Sequence, residues 1–248
     1  MFNNNIDYLI YSSHKTCSQS LKNTLNNNSF LTTHLHTIDK NNYINFKNYC
    51  YGYNKKNNKK LVIITILRNS FDRLKSSFFQ TFHSDQVSFL NVDENNTFIN
   101  KNNLDFLFDI FCNKILNYKR EEEEYLFNRE NEIVRKGLPG MSESLFEIDE
   151  IFDYDIINNL EIIDNYYYYE DNLIKLYVLS FDKLINNDYL KTIFNINNNL
   201  ISTNLSNYKI YNEKYIDFKK LVLSDEIKNI IEDYYNLIFE LLNKINNL

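Results

Sequence analysis

One run constrains this chain of 248 residues more than any other: Leu61-Val62-Ile63-Ile64-Thr65-Ile66-Leu67. It is rich in β-branched side chains and apolar on both faces. Such a segment is stable as a central parallel strand whose sheet is covered by helices on both sides. It stops at Arg68-Asn69-Ser70, after which Phe71, Leu74, Phe78 and Phe82 recur at helical spacing, with Arg73 and Ser76 projecting elsewhere. Ile6 to Tyr11 repeats the arrangement. A short apolar run leads into the polar Ser12-Ser13-His14-Lys15-Thr16-Cys17-Ser18-Gln19-Ser20, and then Leu21 and Leu25 stand one helical turn apart.

Further elements fit the same plan. Leu31 to Ile38 alternates as a strand, with Thr32, His34, His36 and Ile38 on one face. Leu176 to Phe181 reads as another core strand, and Glu161-Ile162-Ile163 with Tyr166 to Tyr169 as a hairpin arm. Asp39 to Lys60 is polar and reads as irregular or partly helical, its Lys55 to Lys60 end as a solvated loop. Leu104, Leu107, Phe108, Phe111, Ile115 and Tyr118 keep helical register, and Arg120 to Arg135 continues as a charged helix whose Glu121 to Glu124 form a solvated face. Gly137-Leu138-Pro139-Gly140 holds two of the three glycines and the only proline, a strong break. The final helix opens at Ser224-Asp225-Glu226 and is expected to bury Ile227, Ile230, Ile231, Tyr234, Ile238, Leu241 and Ile245.

Strands separated by helical segments predict an α/β fold with a central, mainly parallel sheet flanked by helices. The length predicts one domain, with room for an added lobe. At 44% hydrophobic residues the chain has enough apolar surface for a core. A net charge of −6 argues against non-specific nucleic-acid binding. Cys17, Cys50 and Cys112 are odd in number and lack metal-ligand spacing, so reduced thiols and no metal are expected. No apolar stretch reaches membrane-spanning length, and Met1-Phe2-Asn3-Asn4-Asn5 lacks the charged start and apolar run of a signal peptide. The expectation is a soluble, cytoplasmic protein.

In a parallel sheet, ligands bind beyond the carboxyl ends of the strands. Lys15 follows the first strand and Arg68 the central one, so both loops should open on one side. A Lys-Thr pair at a strand-to-helix junction suits a phosphate or sulfate, because free amides of the helix start and nearby hydroxyls bond the anion and lysine adds a mobile charge. The glycines of a Walker loop are absent before Lys15-Thr16. Taken alone, Lys15 also reads as a surface lysine, and Arg68 as the partner of a nearby acid. With Ser76 two turns along its helix, Arg68 suits a second, separate phosphate.

Lys15-Thr16-Cys17-Ser18-Gln19-Ser20-Leu21 resembles the 5'-phosphosulfate loop of carbohydrate sulfotransferases, usually Lys-Thr-Gly-Gly-Thr-Ser-Leu. Ile66-Leu67-Arg68-Asn69-Ser70-Phe71-Asp72-Arg73-Leu74-Lys75-Ser76 is similar to their 3'-phosphate motif, usually Arg-Asp-Pro-x-x-Arg-x-x-Ser. Thr33-His34-Leu35-His36-Thr37 resembles a His-x-His strand of the bacterial capsular-polysaccharide-synthesis branch and of uronosyl 2-O-sulfotransferases. Tyr177 to Leu184 and Asn207 to Phe218 are similar to late segments of the same family. Two departures stand out: Cys17 and Ser18 replace the glycines, and Asn69-Ser70 replaces Asp-Pro.

The resemblance covers a core over 6–85 and 175–240 and implies a P-loop-like three-layer sandwich, with a mostly helical, acceptor-side insertion at about 100–170. It also implies transfer of a sulfuryl group from 3'-phosphoadenosine-5'-phosphosulfate (PAPS) to a carbohydrate hydroxyl, in line and without a metal. Lys15 would meet the phosphosulfate, with Thr16, Cys17, Ser18, Gln19 and Ser20 as its cradle. Arg68 and Ser76 would hold the 3'-phosphate, with Arg73 behind them. His36 first and His34 second are the candidate bases, since a near-neutral imidazole suits deprotonating a sugar hydroxyl. They lie about 6.6 Å apart along the strand, and the same pair also reads as ordinary sheet histidines. An ATP-dependent kinase of the P-loop type and a non-catalytic glycan- or partner-binding relative are the alternatives.

Overall fold

A computed structural model describes residues 5–85, 105, 108–117, 119, 143–153, 155–201 and 216–248, apart from the side chains of 79–85. The chain divides into two compact units. The first comprises Met1–Arg68, Ser142–Asn204 and Leu237–Leu248; the second comprises Asn69–Met141 and Leu205–Asn236. Arg120 to Arg135, Gly137 to Gly140 and Asn207 to Tyr215 lie outside the described residues, as do the expectations placed on them.

The first unit is built on a sheet of six strands: β1 (Tyr8–Tyr11), β2 (Thr32–Leu35), β3 (Leu61–Leu67), β4 (Glu161–Ile163), β5 (Tyr166–Glu170) and β6 (Ile174–Ser180). Their order across the sheet is β2-β1-β3-β6-β5-β4. The first four run parallel, whereas β6, β5 and β4 pair antiparallel, so the sheet is mixed. The connections explain the change of direction. Only Asp164-Asn165 joins β4 to β5, and 171–173 join β5 to β6, where Asp171 Oδ1 accepts the Leu173 and Ile174 amides at 2.7 and 2.8 Å. Turns this short can join only antiparallel strands. The hairpin arm expected at 161–169 is thus an edge of the main sheet.

Helices cover both faces. On one side, α1 (Ser18–Asn27), α5 (Phe181–Ile185) and α6 (Asp188–Thr192) pack Leu21, Leu25, Leu184, Tyr189 and Leu190 against Ile10, Ile64, Ile66 and Leu179. On the other, α2 (Tyr43–Asn57) buries Phe46, Cys50 and Tyr53, with Phe46 stacked on Tyr11 at 6.3 Å and the Tyr53 hydroxyl donating to the Ile6 carbonyl at 2.6 Å. Each fully buried Leu, Ile or Phe side chain contributes about 1.5–3 kcal/mol. Helix α4 (Ser144–Ile151) belongs to the same unit. The segment that reads as irregular or partly helical from its sequence is thus a helix over Tyr43–Asn57, its apolar face reduced to Phe46, Cys50 and Tyr53 among Asn and Lys.

The second unit holds α3 (Ser70–Asp85), the helical residues 108–117 and 216–220, and the first part of α7 (Asp225–Asn246). Phe78, Phe111 and Phe218 form its core, with ring centroids 5.1–6.2 Å apart. Arg73 is 1% exposed, its guanidinium 5.5 Å from the Tyr235 ring. Lys75 Nζ donates to the carbonyls of Lys219 and Leu221 at 3.0 and 2.6 Å, and burial lowers its pKa. Helix α7 buries Tyr235 where the apolar spacing predicts Tyr234. Its regular turn breaks at Tyr235 (φ −121°, ψ 16°), and the expected Ile238, Leu241 and Ile245 remain buried beyond it. Among the described residues, no helix is long and apolar enough to cross a membrane.

Candidate functional site

The parallel strands place four carboxyl ends on one edge of the sheet. β1 lies between β2 and β3; the chain leaves β1 through α1 on one face and reaches β3 through α2 on the other. The gap between β1 and β3 is therefore a topological switch point, where open α/β sheets leave a crevice. The loop of residues 12–17 and Arg68 border it.

Inside that loop the polar side chains bond mainly to each other. The Thr16 hydroxyl donates to the Ser13 carbonyl at 2.7 Å and meets Ser12 Oγ at 2.7 Å. Ser12 Oγ in turn accepts the Ile66 amide at 3.2 Å, tying the loop to β3. Ser13 Oγ donates to the buried carboxylate of Glu143 at 2.8 Å and accepts the Ser144 amide at 2.8 Å, while its own amide donates to Ser144 Oγ at 2.7 Å. The Thr16 hydroxyl therefore braces the loop from within.

The backbone is unusual at two points. Lys15 has φ 67° and Cys17 φ 54°, left-handed values that cost a non-glycine residue roughly 1–2 kcal/mol. Cys17, the position occupied by glycine in the motif it resembles, nonetheless takes a left-handed conformation as the N-cap of α1. The Cys17 side chain makes no capping hydrogen bond and no acid stands in the first turn of α1, so the positive end of the helix dipole is not neutralised by a carboxylate of its own first turn. Ser18 and Ser20 are buried in this first turn, and the exposed Gln19 bonds Asn23 at 2.9 Å. Burial pushes the Cys17 thiol up to about 12, with Arg68 pulling the other way, so it stays protonated and is a poor nucleophile.

Lys15 and Arg68 come together. Arg68 Nη1 donates to the Lys15 carbonyl at 2.8 Å, and its guanidinium lies 4.3 Å from the Phe181 ring centroid. Burial and then the Arg68 charge lower the Lys15 pKa. Ser76 sits on α3 in the second unit, 6% exposed.

Three imidazoles gather at the ends of β1 and β2. His14 stacks on His36 at 3.8 Å, and His34 meets His36 edge-on at 4.2 Å. The Ser12 carbonyl lies 2.9 Å from His36 Nδ1 and accepts its proton, which leaves Nε2 with the lone pair. His34 is held down to about 4 by burial first, then by His36, Lys22 and His14, and is neutral at pH 7. Its buried Nε2 has no hydrogen-bond partner among the described residues. Of the two candidates, His36 is the one whose Nδ1 is held by a main-chain oxygen. Among the described residues, no group of His, Cys, Asp or Glu is arranged to hold a metal ion.

Sequence reasoning missed Glu143, Ser144 and Phe181 as neighbours of the site. Glu143 lies 130 residues from Ser13 along the chain, and no local spacing signals such a contact. An α/β protein with a basic corner at the carboxyl edge of its sheet is the class that the fold and the site define. Comparisons with models of protein families, with curated proteins and with solved structures found no match.

Proposed function

We propose that the chain is a sulfotransferase of P-loop-like, three-layer architecture that moves a sulfuryl group from PAPS to a carbohydrate hydroxyl. One observation carries the reading: the Arg68 guanidinium bonds the main chain of Lys15, so the two basic residues border one crevice. The start of α1 supports it, since its N-cap side chain makes no hydrogen bond and its first turn carries no acid.

On this reading Lys15 and the α1 amides stabilise charge on the departing 5'-phosphate as its bond to sulfur breaks. Arg68 holds the 3'-phosphate through its remaining donors. His36 Nε2 takes the proton of the acceptor hydroxyl as the new oxygen–sulfur bond forms, and the Ser12 carbonyl stabilises the resulting imidazolium through Nδ1–H. The protein's contribution is alignment and charge stabilisation.

A thermal-shift series with 3'-phosphoadenosine-5'-phosphate, AMP and ATP-magnesium tests it. Stabilisation by the bisphosphate alone is expected, about 2.7 kcal/mol at a hundredfold excess over Kd. A response to ATP-magnesium and not to the bisphosphate would support a kinase; no response to any of them would support a binding protein without turnover. Either outcome overturns the proposal.

A further inference from the structure

We infer that Phe181 is a positioning residue of this anion site, the surface on which Arg68 is held in a usable orientation. The inference rests on the reading of Lys15 and Arg68 as ligands of the donor phosphates. β3 and β6 are parallel and in register to their last pair, Leu67 and Ser180. Arg68 and Phe181 are the next residue of each strand, so they emerge side by side at the carboxyl edge. Their contact is an aromatic face against a planar cation, 4.3 Å from Cζ to the ring centroid.

The backbone beneath the ring is fixed. The Ser180 amide donates to the Tyr189 hydroxyl at 3.1 Å, that hydroxyl donates to the Asn165 carbonyl at 2.8 Å, and Ser180 Oγ bonds Asn246 Oδ1 at 3.0 Å. The ring itself packs on the cluster that contains Leu184, Tyr189 and Leu190. The guanidinium carbon lies over the ring, and of the five N–H donors around it an Nη1–H goes to the Lys15 carbonyl. That bond also restrains a residue at φ 67°, a conformation that lysine does not keep unaided. The order of influence runs from Phe181 to Arg68 to the Lys15 peptide. A lysine at position 68 would have no plane to stack and no fork to share between Lys15 and a phosphate.

The test uses the full chain with Phe181→Leu, which keeps an apolar side chain, and Phe181→Tyr, which keeps the face. Two readouts are taken: bisphosphate affinity by calorimetry, and the Arg68 side-chain Nε–Hε signal by NMR without ligand, assigned by its loss in Arg68→Ala. Phe181→Leu should weaken bisphosphate binding about tenfold and move the Arg68 signal toward that of free arginines, while Phe181→Tyr restores both. In an Arg68→Ala background, Phe181→Leu should cause no further loss of affinity. An unchanged Arg68 signal, equal bisphosphate affinity in wild type and Phe181→Leu, or an additive loss in the double variant would overturn the inference. If the wild type binds no bisphosphate while Phe181→Leu still frees Arg68, the positioning role stands and the sulfotransfer reading falls.

Discussion

His36 Nδ1 lies 2.9 Å from the main-chain oxygen of Ser12, joining the residue after β2 to the residue after β1. A carbonyl can only accept, so the contact fixes the tautomer of His36 and turns its Nε2 into the basic nitrogen. His36→Ala should therefore lower the transfer rate by about 10²–10⁴-fold and leave bisphosphate affinity within roughly threefold. Single-turnover assays beside calorimetry check this; full activity in the variant would exclude His36 as the base.

Lys15 and Arg68 divide the work differently. Lys15→Ala should remove transfer without lowering Tm, because this half-buried loop side chain carries little packing. Arg68→Ala should cost the bisphosphate about 1.5–3 kcal/mol of binding free energy. Circular dichroism and calorimetry on both variants decide the matter, and unchanged bisphosphate binding would refute the assignment of Arg68.

The neutral, half-buried His34 has a pH signature. Its folded pKa, about 4, lies below the ordinary 6.5, so the unfolded chain binds a proton first as pH falls. Its contribution to stability is complete above 6.5 and is lost as pH falls from 6.5 to about 4. The loss is on the order of 1–2 kcal/mol once solvent screening is allowed for. Urea unfolding at about pH 7 and about pH 4.5 should show a smaller drop for His34→Gln than for wild type; equal drops would contradict the burial of the ring.

Cys17 tests the left-handed turn. Cys17→Gly should be tolerated within about 0.5 kcal/mol, whereas Cys17→Val should cost roughly 1–2 kcal/mol, since a β-branched side chain resists positive φ. Chemical denaturation of the pair checks it, and equal stability of the two variants would mean that the turn is not under steric constraint.

Ser13 and Glu143 form a buried pair at 2.8 Å, with Glu143 fully inaccessible. Ser13→Ala withdraws a donor from a buried carboxylate and should destabilise by about 1–3 kcal/mol. A change below about 0.5 kcal/mol would show that this bond adds nothing net.

Local chemistry in the sequence was enough for much of this fold. The run Leu61–Leu67, the apolar stretches Ile6 to Tyr11 and Leu176 to Phe181, and the Ser224 start of the last helix are written in side-chain pattern, although the late strand runs Ile174–Ser180 and Phe181 opens α5, and their parallel, layered arrangement follows from burial on both faces. So did the placing of Lys15 and Arg68 after two strands, because strand ends are local features.

Contacts between distant segments decided the rest. The bond from Arg68 to the Lys15 carbonyl, the Phe181 ring beneath that guanidinium and the Glu143 carboxylate behind Ser13 exist only after β1, β3 and β6 lie side by side and α4 packs beside them. The order β2-β1-β3-β6-β5-β4, the burial of Tyr235 rather than Tyr234, and the left-handed Cys17 likewise depend on packing. Hydrophobic period and turn residues act over a few positions. Neighbours 50 to 130 residues apart are chosen by the burial of whole faces, and only the assembled core selects among them.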